Sequence, residues 1–349
     1  MAAVVAGLAA MTIVTERCRR LEAHLPTGEH SMTVIVPARN EASNLPRLLD
    51  DLDAQHGVSL EIVVVDDEST DGTSLTARRD GVRVVSTHGR PPGWNPKVWA
   101  LATGAEHATG SVLVFVDADV RLAPTAMGSV VAQLERCRGL VSVAPHHATQ
   151  RPIESLSAPW NLVTVAAGQD LAVGSLIAID RYDYERIGGH AARPSTIVDD
   201  IELARSARRH GLPTTLFTGE ELVTVRSYPG GWRAIVDGWT KNTAAGASST
   251  SPVAAIVVSA WTMALLSPLV YAVRRDVAGA LLAWVATGWH LHRSSSRVGD
   301  FDRLVVGIGS PLVGLFFAAV TARSVWFRVR RRPVHWKDRL LTPDGIEVT

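Results

Sequence analysis

The chain of 349 residues is long enough for one large catalytic domain and a smaller appendage. Its 35 Lys and Arg residues nearly balance 34 Asp and Glu, so there is no overall field of the kind that marks a nucleic-acid binder. Two distant cysteines, Cys18 and Cys137, argue against a disulfide framework or a zinc site, and a positive mean hydropathy with 20% charged residues indicates locally concentrated apolar sequence.

The first segment, residues 1–31, opens on an apolar run from Met1 to Val14 followed by Glu16-Arg17-Cys18-Arg19-Arg20. The run is short of the roughly 20 residues that span a bilayer, and we expect a membrane anchor with the arginines on the cytoplasmic side. From Met32 to about Val225, short β-rich runs alternate with helix-like stretches. The runs are Thr33-Val34-Ile35-Val36, Glu61-Ile62-Val63-Val64-Val65, Val82-Arg83-Val84-Val85, Val112-Leu113-Val114-Phe115-Val116 and Leu140-Val141-Ser142-Val143. Continuous apolar runs of this kind fit strands buried on both faces of a mainly parallel sheet. The expectation is an α/β catalytic domain over residues 32–229.

Residues 230–250 carry Trp232, Ile235, Val236 and Trp239 at i, i+3, i+4 and i+7, with Arg233, Asp237 and Lys241 on another face. This pattern predicts a helix in the membrane interface, against the plainer reading of a core-facing helix. Within 251–322, Val253 to Val273 and Leu304 to Ala322 have spanning length, and Val277 to Trp289 is a shorter apolar run. The tail, 323–349, is rich in Arg and ends its basic run at Lys337. The positive-inside rule places it in the cytoplasm, so a cell-membrane protein with several crossings and a cytoplasmic catalytic domain is expected.

Candidate chemistry sits where strands end, which is where open parallel sheets bind ligands. Pro37-Ala38-Arg39-Asn40-Glu41 follows the first strand, and by itself reads as a polar turn. Asp66-Asp67-Glu68-Ser69-Thr70-Asp71-Gly72-Thr73 follows the second, and such a crowd of acids needs donors or a cation. Pro91-Pro92-Gly93-Trp94-Asn95-Pro96-Lys97 delivers a lysine to a helix N-terminus, a plausible phosphate site, although a solvated lysine is just as common. Asp117-Ala118-Asp119 follows the fourth strand, and its i, i+2 spacing on an extended chain would put both carboxylates on one side, suited to Mg2+ or Mn2+. Asp199 and Asp200 open an Arg-rich helix, where capping is the ordinary explanation for one of them. His146 and His147 have no partner pattern and read as structural.

Taken in order, Pro37 to Glu41, Asp66 to Thr73, Gly93 to Leu101, Asp117 to Asp119 and Asp200 to Leu203 resemble the family-2 glycosyltransferases of the GT-A fold, a Rossmann-like nucleotide-diphospho-sugar transferase domain. Within that family, the Pro-Pro-Gly-Trp-Asn-x-Lys stretch, Gly238-Trp239-Thr240-Lys241-Asn242 and Val334-His335-Trp336-Lys337 are similar to membrane enzymes that glycosylate carotenoid acids such as diaponeurosporenoate, and to hopanoid-associated glycosyltransferases. The resemblance implies a GT-A domain with C-terminal transmembrane helices and hexosyltransferase activity. It places Pro37, Ala38, Arg39, Glu41, Asp66, Asp67, Lys97 and Asp117 around the nucleotide-sugar donor, Asp117 and Asp119 at a divalent cation, and Asp200 as general base. Trp232, Trp239 and Lys241 then fall on the acceptor and membrane side. Pro96 departs from the glycine usual before this lysine. The Gln-x-x-Arg-Trp motif of processive synthases is absent, which argues against chain elongation.

The expected reaction is an inverting transfer from a nucleotide-diphosphate sugar, UDP-linked by expectation, to a lipid or isoprenoid acceptor at the membrane. The rival within the fold is a polyprenyl-phosphate sugar transferase. A non-catalytic membrane scaffold is a different class, disfavoured by the intact Asp117, Asp119 and Asp200, and a nucleotidyltransferase leaves Asp199-Asp200 and the apolar helices without a role.

Overall fold

β-Branched and apolar residues set the central sheet of the computed structural model, which describes residues 1–28, 30–167, 172–247, 251–336, 338–342 and 347. Lys337, counted above with the basic tail, lies outside the described residues. The chain forms two compact units. One comprises Met1–Arg19, His146–Gly168 and Arg226–Val334, the other Arg20–Pro145, Gln169–Val225 and His335–Thr349.

The second unit is built on the sheet. Its strands are β1 (Ser31–Ala38), β2 (Ser59–Asp66), β3 (Val82–Ser86), β4 (Val112–Val116), β5 (Leu140–Ala144), β6 (Leu176–Asp180) and β7 (Thr214–Thr218). They lie in the order β7-β5-β6-β4-β1-β2-β3, and the two-residue strand Arg19–Arg20 edges the sheet beside β7. β1 pairs in parallel with both β2 (Val34 opposite Ile62) and β4 (Val34 opposite Val114). β6 runs antiparallel between β4 and β5, with Leu113 opposite Ile179 and Val141 opposite Ala178. The apolar runs thus mark the parallel strands they were expected to form, whereas β6 and β7 were not among them.

Alternate residues of each central strand serve two cores, because successive side chains of a strand point to opposite faces. Val34, Val36, Val64 and Val114 join Leu45, Leu48 and Leu52 of the Leu45–Asp53 helix on one face. Ile35, Val63, Val65, Leu113 and Phe115 meet Leu101 and Ala105 of the Pro96–His107 helix on the other. That helix approaches closely through Gly104, where an added Cβ would lie 2.4 Å from Ile35 Cγ2 and 2.9 Å from Val65 Cγ2. Both neighbours are branched and fully packed, so Gly104→Ala should cost about 1–3 kcal/mol and lower the melting temperature measured by differential scanning fluorimetry.

The first unit is helical. Pro252–Val273 and Ser310–Val329 are each long and apolar enough to cross a membrane. The intermediate run, read from sequence as short, belongs to a 19-residue helix, Val277–Ser295, whose last turn carries His292 and Arg293. Val253, Ile256, Met263, Leu281, Val285, Leu312 and Val329 on these helices are all exposed, an apolar surface of the kind that covers membrane or partner contacts. Small residues let the helix backbones approach, and at Gly288 a Cβ would sit 2.4 Å from the Gly307 carbonyl oxygen. Inside the bundle, Trp261 Nε1 donates to His290 Nε2 at 2.8 Å, and Thr12 Oγ1 lies 3.2 Å from His290 Nδ1. His146 and His147 also belong to this unit, with His146 Nε2 3.1 Å from Asp300 Oδ1 and His147 Nδ1 3.2 Å from Ser227 Oγ.

Candidate functional site

Parallel pairing of β4, β1 and β2 brings their carboxyl ends to one edge of the sheet, and with them the loops that begin at Asp117, Arg39 and Asp67. At the end of β1, Pro37 and Ala38 pair with Val65 and Asp66 across the ladder. Arg39 then reaches over the loop that follows β2, its Nη1 donating to the carbonyl oxygens of Asp67 at 2.6 Å and Glu68 at 3.0 Å. Glu41 is buried, its Oε2 accepting from Asn44 Nδ2 at 2.7 Å, while its backbone N–H donates to Thr73 Oγ1 at 2.8 Å.

The acidic run after β2 is held by donors. Asp66 accepts from Ser69 N at 3.2 Å, and Asp71 accepts from the backbone N–H groups of Ala42 and Thr73, each at 3.1 Å. Asp67 is the most enclosed, with a side chain 4% exposed; its Oδ1 accepts from Thr87 Oγ1 at 3.2 Å and its Oδ2 from Arg339 Nη1 at 2.6 Å. Burial pushes the Asp67 carboxyl above its ordinary range, and Arg339 and Arg39 pull it back only in part.

Lys97 arrives by an Asn-Pro helix start. The side chain of Asn95 accepts from the Lys97 and Val98 N–H groups at 3.0 and 3.4 Å, and Pro96 occupies the first helical position, where its missing N–H is no loss. Pro96 is therefore compatible with the helix start. Lys97 Nζ lies 2.7 Å from Asp117 Oδ1, both side chains partly exposed. Although burial disfavours its charge, Asp117, Asp199 and Asp200 together raise the affinity of Lys97 for its proton.

Asp117 to Asp119 do not continue the extended strand. β4 ends at Val116, and a turn follows, closed by Val120 N donating to Asp117 O at 3.1 Å. Asp117 and Asp119 are both half-buried in that turn around the buried Ala118, so the turn, not strand alternation, sets their relation. Among the described residues no three His, Cys, Asp or Glu side chains converge as a complete cation cage. Two carboxylates in a short turn nevertheless fit Mg2+ or Mn2+, which is commonly held by one or two carboxylates together with substrate phosphates.

Asp200 opens the Asp199–Arg209 helix and accepts from two backbone N–H groups, Gly174 to Oδ2 and Ile201 to Oδ1, both at 2.8 Å. Burial and the neighbouring Asp199 push its carboxyl up to about 7, against the pull of Lys97. Lys97, Asp117, Asp199 and Asp200 thus come together from three separate segments of chain. Two participants were missed from sequence. Gly174 contributes only a backbone N–H, for which no side-chain signal exists. Its close approach leaves an added Cβ 3.3 Å from Asp200 Oδ2. His190, buried against Phe115 with its Nδ1 2.9 Å from Tyr184 Oη, is driven down to about 4 by burial and adds no positive charge beside Lys97.

In the helical unit, Trp232 is exposed, with the Arg233 guanidinium 5.4 Å from its ring centre. Trp239 instead stacks on the buried Trp160, ring centres 5.4 Å apart and planes at 12°, and Ile235 is fully buried. The apolar stripe of Trp232–Ala247 is therefore divided, with packing at Ile235 and Trp239 and exposure at Trp232. Lys241 is half-buried on the same helix.

Residues 33–159 match the model of Glycosyl transferase family 2. The chain is 35% identical over 253 residues to a 4,4'-diaponeurosporenoate glycosyltransferase of Staphylococcus haemolyticus, covering 68% of this chain and 67% of the relative. It is 30% identical over 361 aligned positions to the protein of that name from Staphylococcus aureus, covering 95% and 94%. Among solved structures, its fold is similar to that of the mannosyltransferase PcManGT of Pyrobaculum calidifontis, determined with GDP-Man and Mn2+, at 22% identity, a TM-score of 0.59 and coverage of 93% and 97%. With an α/β sheet of GT-A type and relatives aligned along nearly its whole length, the chain belongs to the family 2 glycosyltransferases.

Proposed function

We propose that this transferase moves a hexose, with inversion, from a nucleotide-diphosphate donor, UDP-linked in our reading, to a carotenoid-type or related isoprenoid acceptor at the cell membrane. The observation that carries the proposal is the meeting of Lys97, Asp117 and Asp200: one permanent cation, one carboxylate bound to it, and one carboxyl near 7 that can change protonation at neutral pH. Pro37, Ala38, Arg39, Glu41, Asp66 and Asp67 line the nucleoside end in this reading, and Lys97 stabilises the charge developing on the departing diphosphate. Asp200 accepts the proton of an acceptor hydroxyl, or orients an acceptor carboxylate that is already ionised. Asp117 and Asp119 would hold Mg2+ or Mn2+, which when bound supplies further positive charge at the diphosphate.

The two relatives named for a carotenoid acid support the acceptor class, and the solved mannosyltransferase makes GDP-mannose the second donor to test after UDP-sugars. The Pro252–Val273 and Ser310–Val329 helices support a membrane location, with the arginines of 323–332 on the cytoplasmic side. Trp232 and Lys241 are offered for the acceptor side.

Full-length protein in detergent, supplied with UDP-hexose or GDP-hexose, a carotenoid acid and Mn2+, should yield a product heavier by one hexose in mass spectrometry, with loss of product on chelation. Transfer to polyprenyl phosphate with none to the carotenoid acid would replace the acceptor assignment. No transfer from any nucleotide sugar would sink the enzyme reading.

A further inference from the structure

The segment after the helices was expected to be a basic cytoplasmic tail, yet its end is built into the sheet unit by reciprocal arginine–carboxylate contacts. From the body, Arg39 grips Asp338 with two parallel bonds, Nε to Oδ1 at 2.8 Å and Nη2 to Oδ2 at 2.6 Å. From the tail, Arg339 answers with Nη1 on Asp67 Oδ2 and Nη2 on Glu68 Oε2, both at 2.6 Å. Leu341 also bridges Glu347, and Glu347 lies 3.2 Å from Arg339 Nε and pairs with Arg90, whose Nη1 donates to Trp94 O at 3.2 Å. The short strand Arg339–Leu341 thus binds the loop after β2 directly through Arg339, while its neighbour Asp338 ties the loop after β1 and its bridge partner Glu347 ties the turn that leads to Lys97.

Arg339 is not a surface arginine. Its side chain is 3% exposed, as enclosed as the Asp67 carboxylate it touches. A buried carboxylate without its partner is strongly unfavourable, and a planar fork fixes orientation as well as charge. Asp67 keeps acceptor capacity, because each carboxylate oxygen can take more than one hydrogen bond.

We propose that Arg339 is a positioning residue of the donor site: it holds Asp67 and the loop after β2 in the geometry that receives the nucleoside, so that the extreme C-terminal strand is a working part of nucleotide recognition. This rests on the nucleoside-end reading of Asp67 given above.

The test is calorimetric titration of the full-length, detergent-solubilised protein with UDP and with GDP in the presence of Mn2+, comparing wild type, Asp67→Asn, Arg339→Gln and Arg339→Lys. Arg339→Gln should weaken nucleotide binding about 10-fold or more, as expected for losing bonds to a charged group. In assays the loss should fall on the KM for donor more than on kcat or the KM for acceptor. Arg339→Lys keeps the charge but loses the fork, and should fold and recover part of the affinity even if Arg339→Gln does not fold. Weakened binding by Asp67→Asn with wild-type binding by both Arg339 variants overturns the positioning role alone. Wild-type binding by Asp67→Asn, or no nucleotide binding by the wild type, overturns the donor reading and this inference with it.

Discussion

Asp200→Asn should reduce transfer to a hydroxyl acceptor by about 10^3-fold, within the range of 10^2 to 10^4 typical of a general base, while nucleotide binding persists. The carboxyl that burial and Asp199 push up to about 7 is mostly protonated below that pH and cannot accept a proton there. Wild-type kcat for a hydroxyl acceptor should therefore fall about tenfold per pH unit below roughly 7, and the variant should lose this limb of the profile. A carboxylate acceptor is ionised without help, so with it both the loss in Asp200→Asn and the acid limb should be much smaller. Equal rates for variant and wild type with both acceptors would remove Asp200 from the reaction.

Lys97→Gln should be nearly as damaging, by about 10^2- to 10^3-fold in kcat/KM, the range seen when one preorganised charge-stabilising donor is removed. Its effect is double. The departing diphosphate loses a cation, and Asp117 loses a partner 2.7 Å away, which changes how both the Asp117 carboxylate and the charge around Asp200 are balanced. Steady-state kinetics with varied donor, read beside the affinity for free nucleotide diphosphate, separates the two: a loss confined to kcat would place Lys97 at the transition state only. An unchanged kcat/KM would remove it from the donor site.

These effects depend on groups that separate parts of the chain bring together. The turn at Asp117–Asp119 and the Asn95 cap of Lys97 are local devices, each closed by hydrogen bonds within a few residues. Their meeting with Asp200 is not local. It requires β6 to enter the sheet antiparallel beside β4, so that Leu176 pairs with Val116 and the preceding Gly174 stands at the carboxyl end of β4, where its N–H binds Asp200.

From residue order alone one could recognise the apolar strands, the acids and lysine at their exits, the spanning-length helices and the family resemblance, because each is a property of neighbours in the chain: burial on both faces needs consecutive apolar residues, and a turn needs its own donors. Tertiary structure decided which of those groups come near one another. Arg339 is 272 positions from Asp67, and by composition it cannot be told from the other arginines that follow the apolar helices. Only packing excludes water from both groups, and that exclusion turns an ordinary arginine of the tail into the partner that a buried carboxylate requires.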